Sequence, residues 1–418
     1  MKASLLTIGD ELLIGQVLNS NAQWMSEQLT EIGCEVTRHL TVGDRKSEID
    51  QALDLLKKHS DVIIIGGGLG PTHDDITLET LADYFEMPLE YNLEWLAKVE
   101  ELFRSRNRVM TENNKKQAFL LSGATVIDND CGTAAGQYFK AGDTQIFVVP
   151  GVPHEVKSMM KRFILPEIAK STLGEGVKIR KATLVTLGAG ESALATKLDS
   201  FVKKIQALSN VTLAFLPNLA SVRLRLQMKT RSDAENQLFD SLVSELAAQC
   251  GRDFVGFEPA RLEGVVLELL QSRDQTLAIA ESCTGGLIAH KLTEIPGASK
   301  VLKGAIVAYQ EGIKASELGI APDLISLHGV VSEPIARAMA ESIRQKWNTD
   351  YAIATTGYLG PEGGDAKTKI GTVWIALSTR DGTEAHEFTY ENNRERSKER
   401  AALTAIDLLR RRLNSHSI

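Results

Sequence analysis

The stretch that most limits how this chain can fold is Asp61 to Thr80, DVIIIGGGLGPTHDDITLET. Val62 to Ile65 is apolar without any polar alternation, the pattern of a strand covered on both faces, as in a parallel sheet flanked by helices. Gly66, Gly67 and Gly68 follow at once, then Gly70 and Pro71. Such a string lets backbone amides approach an oxyanion at distances that side chains would block. Thr72, His73, Asp74 and Asp75 come next, and a helical pattern runs from Thr77 to Phe85. Two readings stand: a strand-to-helix turn with an aspartate cap, or a phosphate loop whose carboxylates hold a bridging divalent cation.

The flanking sequence favours the second. Leu5 to Ile8 reads as a first strand, followed by an S-x-x-Q capping box at Ser20 and Gln23 that opens a helix. Glu35 to Val42 reads as the next strand, and a helix from Ser47 leads to Val62. Strands alternating with helices imply an α/β unit that binds ligands beyond the carboxyl ends of its strands. Asp10 and Glu11 follow strand one, Asp44 follows strand two, and Asp74 and Asp75 follow strand three, so acids from three exits converge on one sheet edge. Leu93 to Arg108 reads as a long polar helix, and GTAAG (132–136) and PGVP (150–153) as turns near the same edge.

A chain of 418 residues exceeds one ordinary core, and its 43% hydrophobic and 24% charged residues describe a globular protein. A formal charge of -7 and the lack of a dominant basic patch argue against nucleic acid as partner. The N-terminus does not read as a signal peptide and no run of about eighteen apolar residues occurs, so no membrane partner is expected. The four cysteines are scattered, which fits reduced thiols in a cytoplasmic protein and no zinc site.

The pattern divides the chain into residues 1–170, 176–252 and 256–415. Ser171 to Gly176 reads as a linker. The middle segment reads βαββα, a small α+β unit: Ala182 to Leu187, a helix from Glu191, the paired strands Val211 to Leu216 and Ser221 to Lys229, and a helix lined by Leu238, Leu242 and Leu246. Arg223, Arg225 and Lys229 on its outer strand face read as solvated, and no GxxG clamp is present.

The third segment repeats the strand-then-glycine logic. A strand from Thr276 to Ala280 runs into Glu281-Ser282-Cys283-Thr284-Gly285-Gly286 and a helix. Ser282 reads either as a nucleophile on a strand-to-helix turn or as the N-cap of that helix. Its candidate base is Lys314, one short loop beyond the strand Ala305 to Tyr309, where burial would lower the amine's pKa; a solvated helix-start lysine is the alternative. His290 reads as a surface histidine, and His328 as a loop residue before a helix capped by Ser332. Another buried strand, Tyr351 to Ala354, precedes the glycine-rich 355–364, a hairpin turns at Asp381-Gly382, and Arg396 to Leu413 forms a last helix.

With these motifs in view, the chain resembles the competence/damage-inducible CinA family nearly end to end. The markers are IGDELLIGQVLNSN (8–21), GGGLGPTHDDIT (66–77), GTAAG, PGVPHE (150–155), AESCTGG (280–286), HGVVSEP (328–334) and GTVW (371–374). The resemblance implies a molybdopterin-binding-like N-terminal domain with metal-dependent hydrolysis of ADP-ribose to AMP and ribose 5-phosphate. It implies a KH-type middle domain without an RNA clamp, and a C-terminal nicotinamide mononucleotide deamidase whose Ser/Lys dyad maps onto Ser282 and Lys314. At the N-terminal site Asp44 and Asp75 are the expected catalytic and metal residues, with Asp10 as a further ligand to Mg, Mn or Co, and Gly67, Gly68, Gly70 and Thr72 as the phosphate cradle. At the C-terminal site Thr284, Gly285, Gly286, Tyr309, Thr356 and Gly357 are the expected substrate contacts, with no cofactor required. The expected partners are small-molecule nucleotides and a second copy of the chain in a homodimer. The chain departs from the family pattern at TGYLGP, which puts Tyr358 and Leu359 in place of smaller residues, and at Tyr309-Gln310-Glu311. Molybdopterin nucleotidyl transfer and a non-enzymatic nucleotide-sensing role are the rival readings.

Overall fold

A computed structural model describes residues 1–172, 177–361, 364, 368–391 and 393–415. Most of the linker Ser171 to Gly176 and part of the glycine-rich loop 355–364 therefore lie outside the described residues. The chain forms two compact units, Met1–Ile179 and Arg180–Ile418.

In the first unit the strands are β1 (Lys2–Ile8), β2 (Glu35–Val42), β3 (Val62–Gly66), β4 (Leu89–Tyr91), β5 (Phe119–Leu121), β6 (Thr125–Ile127), β7 (Gly136–Ala141) and β8 (Thr144–Val149). The main sheet has the order β2-β1-β3-β8-β7-β6. Its first four strands are parallel, while β7 and β6 add antiparallel at one edge, so the sheet is mixed. β3 and β8 are buried at every position, which is why Val62 to Ile65 and Ile146 to Val149 read as apolar runs; β8 opens with the buried polar pair Thr144 and Gln145. Separate apolar cores cover the two faces, one around Leu5, Met25, Ile64 and Phe147, the other around Leu6, Leu53, Ile65 and Ile146. The alternation of β3's side chains between these cores fixes its register.

The helix Thr77–Phe85 matches the sequence pattern at both ends. The next two expectations need correction. The helix Ser20–Glu31 is capped by Asn19, whose side chain accepts from Ala22 N–H at 3.0 Å, rather than by the Ser20/Gln23 box. The helix from Leu93 stops at Ser105, not Arg108, and Arg106 turns back to donate to the Cys131 carbonyl at 3.0 Å.

The second unit opens with β9 (Lys178–Leu187), β10 (Val211–Pro217), β11 (Ser221–Thr230) and β12 (Phe254–Phe257), ordered β10-β11-β9-β12. β12 pairs antiparallel with β9, a fourth strand that the βαββα reading leaves out because it follows the closing helix by only a short turn. That helix, Asp233–Cys250, buries Phe239, Leu242 and Leu246, whereas Leu238 is 37% exposed, so its inner face is rotated by one residue from the expected one. The outer strand face is wet as expected, with Arg223 paired to Glu258 at 2.8 Å.

The same unit continues with β13 (Leu277–Glu281), β14 (Leu302–Val307), β15 (Tyr351–Gly357), β16 (Thr372–Thr379) and β17 (Gly382–Thr389) in the order β14-β13-β15-β16-β17. The first three are parallel; β16 and β17 form the expected hairpin. The final helix, Arg394–Ser415, packs Ala401, Ala405, Ile406 and Leu409 into the core on one face of this sheet. Its last turns reach the smaller sheet: Arg410, 1% exposed, pairs with Asp407 at 2.7 Å and donates to the carbonyls of Phe254 and Arg252. Among the described residues, no helix is long and apolar enough to cross a membrane.

Candidate functional sites

Each unit has a cavity at the carboxyl ends of its parallel strands. In the first unit a cavity of about 450 Å3 lies over the exits of β1, β3 and β8. Gly67 and Gly68 shape its floor. Both have positive φ, and a Cβ on Gly67 would stand 2.1 Å from the Ile8 carbonyl oxygen, one on Gly68 2.1 Å from Thr77 Oγ1. Thr77 Oγ1 in turn donates to the Gly67 carbonyl at 2.9 Å, tying the loop to the helix start. No side chain larger than hydrogen fits either place, so the loop presents backbone to the cavity, the arrangement that suits a phosphate.

The acids are placed unequally. Asp75 Oδ2 accepts from both the backbone N–H (2.9 Å) and the hydroxyl (2.5 Å) of Thr72, which closes the loop after Gly70. Asp44 Oδ2 accepts from Asp10 N–H at 3.0 Å. Burial pushes the Asp44 carboxyl up from its ordinary value, and the nearby charges of Asp10, Glu11 and Asp74 push it further, against the pull of the Asp10 N–H. Asp44, Asp74, Asp75 and Glu11 all line the cavity; Asp10 does not, its exposed carboxylate facing Arg45 at 3.5 Å. Asp74 does not cap the following helix. The N-cap position is Ile76, with no side-chain cap, and Asp74 belongs to the electrostatic surroundings of Asp44.

Among the described residues no group of three or more acids, thiols or imidazoles is assembled to hold a metal by itself. The donor set nevertheless fits a magnesium-type ion, which takes one or two carboxylates and completes its shell with water and substrate phosphate. A carboxyl driven upward by burial and then by its acidic neighbours, beside a cradle for an anion, is a place where a cation relieves repulsion. Glu155, 8% exposed, also lines the cavity and accepts from Asn129 Nδ2 at 2.8 Å. It was legible only as the last letter of PGVPHE.

In the second unit a cavity of about 410 Å3 is lined by Ser282, Tyr309, Lys314, Thr356, Gly357 and Arg394, with Cys283, Gln310, Glu311 and residues 330–331 and 358–359. Ser282 follows β13 directly and is 8% exposed. It is not a helix cap: the helix Leu287–Thr293 starts after Gly286, with no side-chain cap. Lys314 lies in the helix Glu311–Leu318 and is 2% exposed, so the solvated alternative fails. Its Nζ donates to Ser282 Oγ at 3.1 Å and to the Ala308 carbonyl at 2.8 Å. Burial lowers its pKa, with Glu311 and Cys283 pulling weakly the other way. Cys283 is a buried thiol, pushed up to about 12 by desolvation, and is no competing nucleophile.

Thr356 and Gly357 stand opposite the dyad at the end of β15, Thr356 Oγ1 donating to the Val330 carbonyl at 2.7 Å. Thr284, Gly285 and Gly286 stand outside the cavity lining. Thr284 Oγ1 is buried against Thr355 Oγ1 at 2.7 Å, and Gly285 N–H donates to the Ser282 carbonyl, so these groups shape the turn. Arg394, the first residue of the last helix, lines the cavity. Its two terminal nitrogens donate to the Gly360 carbonyl (2.8 Å) and Tyr309 Oη (2.7 Å). Of the two bulky departures in TGYLGP, Leu359 is 2% exposed within the apolar core, and the loop makes room for it there. His290 is exposed beside Glu294, and His328 ends the helix Pro322–His328 rather than lying in a loop. Ser332 holds the N-cap position of the helix Glu333–Lys346 as expected, but its Oγ donates to the Gly329 carbonyl and makes no side-chain cap bond.

The chain matches three family models in order: the probable molybdopterin binding domain over residues 4–170, the damage-inducible protein CinA KH domain over 181–256, and the CinA C-terminal domain over 259–413. A CinA-like protein of Salinibacter ruber is 38% identical over 416 residues, covering 99% of this chain and 100% of its own length. A putative competence-damage inducible protein of Symbiobacterium thermophilum is 38% identical over 424 residues, covering 99% of each chain. A solved structure of the protein CinA from Thermoplasma acidophilum is 31% identical, spans 40% of this chain and 99% of its own, and has a TM-score of 0.37. With three domain models in register and full-length relatives well above 30% identity, the chain belongs to the CinA family.

Proposed function

We propose that the C-terminal cavity is an amidohydrolase site that deamidates nicotinamide mononucleotide, and that the N-terminal cavity hydrolyses the pyrophosphate of ADP-ribose. The observation that carries the reading is the buried contact between Lys314 Nζ and Ser282 Oγ at 3.1 Å. A desolvated lysine with no carboxylate in hydrogen-bond contact favours its neutral form. One N–H then donates to the Ala308 carbonyl, and the lone pair is free to take the Ser282 proton. As Ser282 Oγ bonds to the carboxamide carbon, Lys314 holds that proton and delivers it to the departing nitrogen, so ammonia leaves and an acyl-serine remains. Water then attacks the acyl carbon with Lys314 again as base, releasing the pyridine carboxylate. Arg394, which meets no carboxylate among the described residues, supplies the cationic wall that a nucleotide phosphate requires.

At the N-terminal site Asp44 and Asp75 would hold a divalent metal, which supplies charge neutralisation at the pyrophosphate and a more acidic water. The chain's own contribution is the backbone cradle at Gly67 to Gly70, the Thr72–Asp75 clasp that fixes it, and the acid cluster that keeps an unaccompanied anion out. Purified protein assayed on both substrates tests the reading. Ammonia release that survives Ser282→Ala removes the first half, and absence of AMP with Mg2+, Mn2+ and Co2+ removes the second. Formation of an adenylylated molybdopterin from ATP would install the transferase reading in its place.

A further inference from the structure

Two side-chain oxygens of residues lining the N-terminal cavity have no donor among the described residues. Gln117 is 6% exposed; its Nε2 donates to the Leu69 carbonyl at 3.2 Å, and its buried Oε1 has no donor among the described residues. Asn21 repeats the pattern, with Nδ2 donating to the Gly151 carbonyl at 2.7 Å and Oδ1 buried and unpaired. Both residues line the cavity. Neither amide can turn over, because that would set oxygen against oxygen at the anchoring carbonyl. A buried acceptor left unpaired costs roughly 1–3 kcal/mol. Two of them, each anchored to a glycine turn of the same cradle, are groups that a ligand completes.

The chemistry of that ligand follows from their location. Leu69 lies inside the phosphate loop, so the Gln117 amide is anchored beside the place where the anion would rest. A phosphate dianion has no proton to give and is repelled by a carbonyl oxygen. Apart from water on a bound metal, the donor comes from a neighbouring part of the same molecule, and in a nucleotide the hydroxyls of the ribose bearing that phosphate meet the requirement. We propose that Gln117 Oε1, with Asn21 Oδ1 as second acceptor, reads ribose hydroxyls of the bound nucleotide and so discriminates against deoxyribose. Gln117 is thereby a specificity-determining residue of this site. The inference rests on the nucleotide pyrophosphate reading given above.

The test is calorimetric binding, with Mg2+ present, of ADP-ribose and of its forms lacking a 2′- or 3′-hydroxyl on either ribose, to full-length wild-type protein, Gln117→Met and Asn21→Leu. AMP release is followed in parallel. Wild type should bind ADP-ribose at least about tenfold tighter than one of the deoxy forms, since a site built to bond a hydroxyl rejects the analogue lacking it. Gln117→Met should weaken ADP-ribose to the level of that deoxy form while leaving the deoxy form unchanged. Equal weakening of every ligand, or none, in both variants would overturn the proposal, showing that the oxygens position the loop or bond only to water. Should Gln117→Met fail to fold, Asn21→Leu carries the same comparison. Wild type that discriminates but releases no AMP refutes the hydrolase reading alone; wild type that binds none of the ligands refutes both.

Discussion

Replacing Lys314 with methionine separates the chemistry of the dyad from its packing. Methionine fills the channel of a side chain that is 2% exposed but cannot take a proton. Two hydrogen bonds disappear, to Ser282 Oγ and to the Ala308 carbonyl, at about 1 kcal/mol each. Against this, a buried amine that must be desolvated is exchanged for an apolar group of similar length, which offsets much of that loss. The thermal midpoint should therefore move by no more than a few degrees. Turnover should fall by about 10²- to 10⁴-fold, the usual worth of a general base, or roughly 3–5 kcal/mol of barrier. Burial lowers the Lys314 pKa, so the unfolded chain holds the proton over a pH window in which the folded one has released it. Stability of the wild type consequently rises with pH from the lowered folded value up to 10.5, and Lys314→Met loses that rise. The kcat/KM profile for nicotinamide mononucleotide should likewise climb through an inflection below 10.5. Ammonia release and urea denaturation across pH read both quantities. A variant that folds normally and retains more than a tenth of wild-type turnover would refute the base assignment.

Other substitutions probe the remaining parts. Arg394→Leu should raise KM for the nucleotide about tenfold with a smaller change in kcat, and leave turnover of the phosphate-free nucleoside unaltered, as steady-state kinetics would show. Gly67→Ala puts a Cβ against the Ile8 carbonyl at positive φ and should lower stability by about 1–3 kcal/mol, read from chemical denaturation, with loss of ADP-ribose turnover. Asp44→Asn removes a carboxyl whose charged form burial and its acidic neighbours disfavour, so the variant should unfold at higher urea than wild type at neutral pH while losing about 10²-fold or more in metal-dependent hydrolysis. Asp75→Ala releases Thr72 and should abolish AMP formation without affecting ammonia release.

Where sequence reasoning succeeded, the signal was local. Val62 to Ile65 announces a doubly covered strand because each of its side chains meets one of two cores, and the helix Thr77–Phe85 is bounded by its own pattern. The misreadings arose where a local rule had two solutions. Asn19 and Ser20 are both good caps, and the chain's entry from Thr7, which accepts from Asn19 Nδ2, selects the former. Leu238 fits the helical stripe as well as Phe239, but the small sheet accepts the larger ring. The strand Phe254–Phe257 is too short to signal itself, existing only as a partner of β9. Lys314 and Arg394 lie far apart in sequence from Ser282, and no periodicity distinguishes a buried lysine or a cavity-facing arginine from a wet one. Its place one short loop beyond a strand made Lys314 a candidate beside the solvated reading, the family resemblance pointed to the same lysine, and nothing pointed to Gln117.

The helix Arg394–Ser415 begins at the C-terminal cavity and carries in its last turns Arg410, whose buried guanidinium is satisfied in part by carbonyls of Arg252 and Phe254 in the preceding segment. That bears on modularity. A chain trimmed to the boundary of the C-terminal family model would begin after both carbonyls, leaving a buried cation short of two acceptors. Asp407 stays as its ion-pair partner, but each lost hydrogen bond to a charged group costs about 1.5–3 kcal/mol, and two together are a large fraction of what holds a domain together. Excising the C-terminal segment to test its proposed activity would call for a compensating change at Arg410, such as a neutral side chain, before a result could be attributed to the segment itself.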